Sequence, residues 1–243
     1  MEADKGTLMK TRIRPFESRM ALNEALTERL AWEIENAGKG AMALMLAGGN
    51  TPLHAYQALG TRRLTPSGTL ELLFSDERYV PATSEASNFR AARPLVEALA
   101  LPGERILRVR TELPLDRAVE DYERRLRALV KAGTTIRLGI LGLGADGHTA
   151  SLFSEGDLKR SNGKFAVSVQ RPDGRSAVSV TPQFLENVAH VVFVVAGSDK
   201  RTALKAMMEK KPESIAARAI ANCPSVEIWA DRDAWPATPS PGT

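Results

Sequence analysis

The chain has 243 residues, 43% apolar and 26% charged, a globular balance that argues against disorder. Its single cysteine, Cys223, excludes an internal disulfide and any zinc site built on four cysteines or on two cysteines and two histidines. The net charge of +4 permits an anionic ligand without demanding one, and the arginines, spread as Arg105, Arg108 and Arg110 or Arg124, Arg125 and Arg127, read as a solvated face rather than a nucleic-acid patch.

The longest apolar runs fall far short of the ~18 residues a membrane span needs. The first six residues hold no apolar signal core. The expectation is a soluble, cytoplasmic protein without membrane or nucleic-acid contacts.

In chain order, Glu17–Asn36 reads as a helix with Leu22, Leu26, Leu30 and Ile34 near one stripe. Ala41–Ala47 suits a buried strand, and Pro52–Leu59 a helix with proline in its first turn. Leu70–Phe74 is a strand. Asn88–Leu99 is helical although Pro94 lies inside it. Ile106–Val109 is a weak strand, and Leu115–Val130 is the clearest amphipathic helix. Ile136–Leu141 is a strand running into a glycine-rich turn. Ala166–Val169 and Ala177–Val180 are short strands around Arg171–Gly174. His190–Ala196 is a strand, Asp199–Glu209 a helix, and Val226–Ala230 a last strand. This alternation predicts an α/β fold: a single domain over residues 1–235 with an open, mostly parallel sheet and helices on both faces. Residues 236–243 read as a disordered tail.

Ligands in such sheets bind outside the carboxyl ends of strands, and four predicted strands end in unusual sequences. At Leu46–Pro52, LAGGNTP, Gly48 and Gly49 let backbone approach a ligand, Asn50 or Thr51 caps the next helix, and the helix N-terminus suits a phosphate. At Phe74–Pro81, FSDERYVP, Asp76 and Arg78 face the same way on an extended segment, so Arg78 is placed to grip an anion. Val194–Lys200, VVAGSDK, puts Lys200 in the first turn of a helix, where a cation opposes the dipole unless an anion sits beside it.

The segment Leu141–Phe153, LGLGADGHTASLF, contains G-x-G-x-x-G at Gly142, Gly144 and Gly147. A dinucleotide site would need a long helix next and an acidic residue about 20 positions on; Ser154-Glu155-Gly156 interrupts, so no nicotinamide or flavin is expected. The glycines instead hold His148 at a strand exit, open to a cleft. His54 and His190 are expected to be structural.

Together GGNTP, SDERYVP with Ser87-Asn88 downstream, GLGADGHTASLF, and G-x-x-K at Gly197–Lys200 resemble the 6-phosphogluconolactonase family, which groups with glucosamine-6-phosphate deaminases. The resemblance runs from about Phe16 to Trp229. It implies a Rossmann-like fold of the sugar-phosphate isomerase type and cofactor-free, metal-free hydrolysis of 6-phospho-D-glucono-1,5-lactone in the pentose phosphate pathway. His148 would be the general base and Asp76 the residue that orients His148 or a sugar hydroxyl. Gly48, Gly49, Asn50, Thr51, Arg78, Gly147 and Lys200 would bind substrate and its phosphate, and backbone N–H groups of the Gly142–Gly147 turn would hold the oxyanion. A monomer or weak homodimer is expected.

Two alternatives stand beside this reading: a deaminase-isomerase of amino sugar phosphates, and a non-enzymatic sugar-phosphate sensor. Deaminases carry a glutamate five residues after the histidine, where this chain has Phe153. Two departures from the lactonase pattern are Ser154 in place of proline and an arginine, Arg171 or Arg175, displaced from its usual spacing.

Overall fold

The computed structural model describes residues 10–36, 40–66 and 69–236. Ten strands and eight helices follow in the order β1 (Lys10–Phe16), α1 (Arg19–Glu35), β2 (Ala41–Leu46), α2 (Asn50–Gly60), β3 (Thr69–Phe74), β4 (Asp76–Arg78), α3 (Asn88–Leu99), β5 (Ile106–Leu107), α4 (Leu115–Lys131), β6 (Thr135–Gly142), α5 (Glu155–Arg160), β7 (Ala166–Gln170), β8 (Ser176–Val180), α6 (Pro182–Leu185), β9 (Val191–Val195), α7 (Arg201–Met208), α8 (Ile215–Ala219) and β10 (Ser225–Asp231).

Seven strands form one sheet in the order β1-β10-β9-β6-β2-β3-β5, and every pairing in it is parallel. The apolar runs at β2, β6 and β9 are nearly continuous because both faces of these strands are covered. Alternate residues of β2 show it: Met42, Leu44 and Leu46 pack with α1, α2 and α3 on one face, while Ala43 and Met45 join Tyr122 and Leu126 of α4 and Leu204 of α7 on the other. Each fully buried leucine in these layers contributes roughly 1.5–3 kcal/mol. The expected fold class is therefore what the chain adopts.

Several elements differ from expectation. Strand β1 precedes the first helix as the outer strand beside β10. Its residues Arg12, Ile13, Arg14 and Pro15 are exposed, so no apolar stripe marks it. A second, antiparallel sheet, β4-β8-β7, lies apart from the first. Helices α5, α6 and α8 are too short for periodicity to reveal. Helix α3 runs through Pro94, started by Ser87, whose Oγ accepts from Arg90 N–H. Of the expected tail, all but Pro236 lies outside the described residues.

Candidate active site

Strand order reverses direction between β2 and β6: β3 and β5 lie to one side, and β9, β10 and β1 to the other. The crevice at such a switch point is where open α/β sheets bind ligands, and both glycine-rich strand ends meet there. A cavity of about 180 Å³ is lined by Gly48, Asp76, Arg78, Gly144, His148 and Arg171, among others. An adjoining one of about 330 Å³ is lined by Arg19, Asn50 and Thr51. The two share Gly48, Gly49, Gly142, Leu143 and Lys200.

His148 stands at the exit of β6 with its side chain 25% exposed. Its Nδ1 lies 2.5 Å from Asp146 Oδ1. A carboxylate only accepts, so Nδ1 donates to Asp146, and in the neutral tautomer of the ring Nε2 is the nitrogen with the lone pair. Burial works to raise the Asp146 pKa, but the hydrogen bond and charge of His148 outweigh it and hold the carboxyl below the usual range. On its other side the imidazole packs 4.3 Å, centroid to centroid, from the Phe153 ring, over which the Arg171 guanidinium sits at 5.2 Å. Gly144 makes room for this arrangement. A Cβ there would meet His148 Nδ1 at 2.0 Å and Asp146 Oδ1 at 2.4 Å.

Gly147 adopts φ +85°, a conformation that favours glycine. Its N–H donates to Gly144 O, its carbonyl accepts from Ala216 N–H, and Gly144 N–H donates to His148 O. Gly147 is thus a turn residue, and it is Gly144 and His148 of this turn that line the cavity. Of the N–H groups expected to hold the oxyanion, those of Gly144 and Gly147 are committed to the turn itself.

Asp76 and Arg78 do line one cavity, and Glu77 between them turns the other way. The buried Glu77 carboxylate accepts from the N–H groups of Asn88 and Phe89 and from Ser87 Oγ, closing the N-terminus of α3. Burial pushes its carboxyl above the usual range against the pull of the Phe89 and Asn88 N–H groups. Asp76 accepts from Ser75 Oγ at 2.9 Å and from Ser151 Oγ at 2.7 Å, and Arg171 Nη1 donates to the same Ser151 oxygen at 3.3 Å. Both Asp76 oxygens are engaged by serines, so the residue hydrogen-bonded to His148 is Asp146, not Asp76.

Asn88 is 1% exposed. Its Nδ2 donates to Asp76 O at 2.9 Å, and its buried Oδ1 has no protein partner although it lines the cavity. The amide lies over Gly48, where a Cβ would come within 1.9 Å of Oδ1.

At the other end, the cap of α2 is Gly49 at φ +98°, with no side-chain capping bond, rather than Asn50 or Thr51. Leu53 N–H reaches back to Gly49 O and Pro52 has none to give, so Asn50 and Thr51 carry the N–H groups without intrahelical partners. Lys200 closes a 3₁₀ turn before α7 and pairs with Asp199 Oδ2 at 3.0 Å. Arg78 donates to Ala86 O, and its buried Nε has no partner. Of the two candidate arginines in the β7–β8 hairpin, Arg171 lines the cavity; Arg175 pairs with Asp173 on the surface.

Of the remaining histidines, His54 is exposed rather than packed in the core, because it falls on the outer face of α2, where Nδ1 donates to Asn50 O. His190 is half-buried and bonded to Ser225 Oγ. Of the residues found beside His148 and Gly48, Asp146 was not singled out from the sequence, and Asn88 only as part of a motif. The D-x-H spacing was the available signal for Asp146; nothing local marked the open Oδ1 of Asn88. Among the described residues, no group of three or more His, Cys, Asp or Glu is placed to hold a metal ion, and no helix is long and apolar enough to cross a membrane.

The family model described as glucosamine-6-phosphate isomerases/6-phosphogluconolactonase matches residues 17–229. The 6-phosphogluconolactonase of Thermotoga maritima is 35% identical over 178 residues, 72% of this chain and 78% of that one. The human 6-phosphogluconolactonase is 30% identical over 213 residues, 82% of each. A crystal structure of the Thermotoga maritima enzyme superposes with a TM-score of 0.79 at 29% identity, covering 92% of this chain and 100% of that one. A monomeric glucosamine-6-phosphate deaminase shares the fold, with a TM-score of 0.74 at 17% identity over 92% of this chain and 98% of that one.

Proposed function

The chain belongs to the family of glucosamine-6-phosphate isomerases and 6-phosphogluconolactonases, and we infer that it takes the lactonase branch: it hydrolyses 6-phospho-D-glucono-1,5-lactone to 6-phospho-D-gluconate, with His148 as the general base. The observation that carries this reading is the His148 pair. Asp146 holds the proton on Nδ1, Phe153 backs the ring, and Nε2 is left as a base at a cavity whose far end is an anion cradle.

The deaminase alternative needs a proton-relaying carboxylate where Phe153 packs on the imidazole, and a phenyl ring moves no proton.

A lactone is an activated ester, so water is a sufficient nucleophile. His148 Nε2 takes a proton from water as the water oxygen bonds to C1. The tetrahedral intermediate then expels the ring oxygen, the C1–O bond breaks, and Nε2 returns the proton to that oxygen. The substrate phosphate lies against the N–H groups of Asn50 and Thr51, the backbone of Gly48 and Gly49, and Lys200. Arg78 lies nearer the reacting end, beside Asp76. The open Oδ1 of Asn88 accepts from a sugar hydroxyl, and Asp76, held by Ser75 and Ser151, faces the same ring. Fixing the phosphate at one end places C1 at the other, so attack proceeds without a further search for orientation. We read the compartment as the cytoplasm, in keeping with a lone cysteine that leaves no internal disulfide, and the enzyme as a monomer or weak homodimer.

The test is to generate the lactone in place with glucose-6-phosphate dehydrogenase and follow its decay. The wild-type protein accelerates decay over the spontaneous rate, and His148→Ala lowers kcat by about 10²–10⁴. An unchanged kcat removes His148 from the mechanism; release of ammonia from glucosamine 6-phosphate would move the chain to the other branch.

A further inference from the structure

The phosphate end of the cleft has an electrostatic deficit that the residues named so far do not meet. A phosphate monoester carries about −1.5 to −2 charges at pH 7. Lys200, the cation shared by both cavities, is already paired with Asp199 at 3.0 Å, and Asp199 lines the same cavity. The two side chains sum to zero. Arg78 lines only the His148 cavity. The two N–H groups of α2 add a partial charge of roughly +0.5.

Arg19 also lines that cavity, on the Gly197–Lys200 side. It is the first residue of the 17-residue helix α1, whose first turn holds no acidic residue, so its charge opposes the helix dipole. Among the described residues it has no hydrogen-bond or ion-pair partner. Its guanidinium rests on Gly197 beside the Asp199 carboxylate: a Cβ on Gly197, which adopts φ +102°, would lie 3.1 Å from Arg19 Nη2 and 2.9 Å from Asp199 Oδ1. An exposed cation with no partner in the same cavity as the N–H groups of Asn50 and Thr51 suits an anion bound there.

We propose that Arg19 is a substrate-phosphate contact, the second cationic arm of the cradle, and that it sets the preference for phosphorylated over unphosphorylated lactone. The proposal rests on the lactonase reading for its substrate. Its geometry, however, requires only a phosphate group at the N-terminus of α2.

The test compares wild type with Arg19→Ala, Arg19→Lys and Lys200→Ala on the 6-phosphorylated lactone and on glucono-1,5-lactone. Arg19→Ala is expected to lower kcat/KM for the phosphorylated substrate by about tenfold or more, the range hydrogen bonds to charged groups carry, chiefly through KM. The unphosphorylated substrate is expected to react as with wild type, and Arg19→Lys to recover part of the loss. Alanine suits an exposed first turn, and an unchanged unfolding curve shows that the fold is kept. A ratio unchanged in Arg19→Ala but lowered in Lys200→Ala overturns the proposal. Calorimetric titration with inorganic phosphate separates it from the lactonase reading. Weaker phosphate binding by Arg19→Ala supports the contact even if the wild type turns over no lactone; equal binding by Arg19→Ala and wild type refutes it.

Discussion

Gly144→Ala is expected to disable the base without touching it. The backbone at Gly144 is outside the positive-φ set, so alanine is compatible with it. The added methyl, however, would lie 2.0 Å from His148 Nδ1, 2.3 Å from Cε1 and 2.4 Å from Asp146 Oδ1. Ordinary contact begins near 3.4 Å, so the imidazole must retreat by about 1.4 Å and its bond to Asp146 cannot survive in place. A misplacement of about 1 Å costs about 10²-fold in rate; kcat should therefore fall at least that far, toward the value of His148→Ala. With a quarter of its side chain exposed, the ring can swing outward at little expense, and stability should change by less than about 1 kcal/mol.

The assay is lactone decay for Gly144→Ala, His148→Ala and the double variant, beside urea unfolding of each. If Gly144 acts only by seating His148, the double variant matches His148→Ala within a fewfold. Multiplying losses, or wild-type kcat in Gly144→Ala, would refute the reasoning.

Two further substitutions probe neighbouring features. Asp146→Asn keeps an acceptor for Nδ1 but removes the charge that favours the imidazolium formed during attack. Since Asp146 is half-exposed and screened, kcat should fall by roughly ten- to a hundredfold with KM little changed; a change in KM alone would make Asp146 a substrate contact. Ser154→Pro restores the residue common in the resembling family but should destabilise this chain by about 2 kcal/mol in urea unfolding. Ser154 caps α5 through a reciprocal bond with Asp157 and sits at φ −142°, its N–H donates to Asp157 Oδ2, and proline fixes φ near −65° without an N–H. Unchanged stability would mean that the capping box contributes nothing here.

The strand-end motifs were legible because each is local. A glycine that clears space for its own turn, such as Gly144, and a histidine two residues past an aspartate sit within a few positions of what they serve. The helices α1 and α4 and the strands β2, β6 and β9 were legible for the same reason, since periodicity of 3.6 or an unbroken apolar run is a property of one segment. Strand β1 was not: its exposed Arg12 and Arg14 carry no buried face, and it is a strand only because β10 offers a parallel partner more than 200 residues later. Helices α5 and α8 lacked the length for a period, and their caps, Ser154 and Ser214, are single residues among many serines.

By itself the sequence determined the strand–helix alternation, the glycine-rich exits that gather at the switch point, and the histidine those glycines expose, because each rests on residues adjacent in the chain. Which charges meet in the cleft was decided only by tertiary structure. The antiparallel register of β4 on β8 and β8 on β7 brings Arg171 rather than Arg175 to Ser151 and Asp76. The turn after His148 brings Ser151 to Asp76 across 75 residues of chain. The packing of α1 against β10 and α2 brings Arg19 to the cavity that Lys200 lines. Spacing along the chain holds no record of those distances, since they come from strand register and helix packing between segments far apart in sequence.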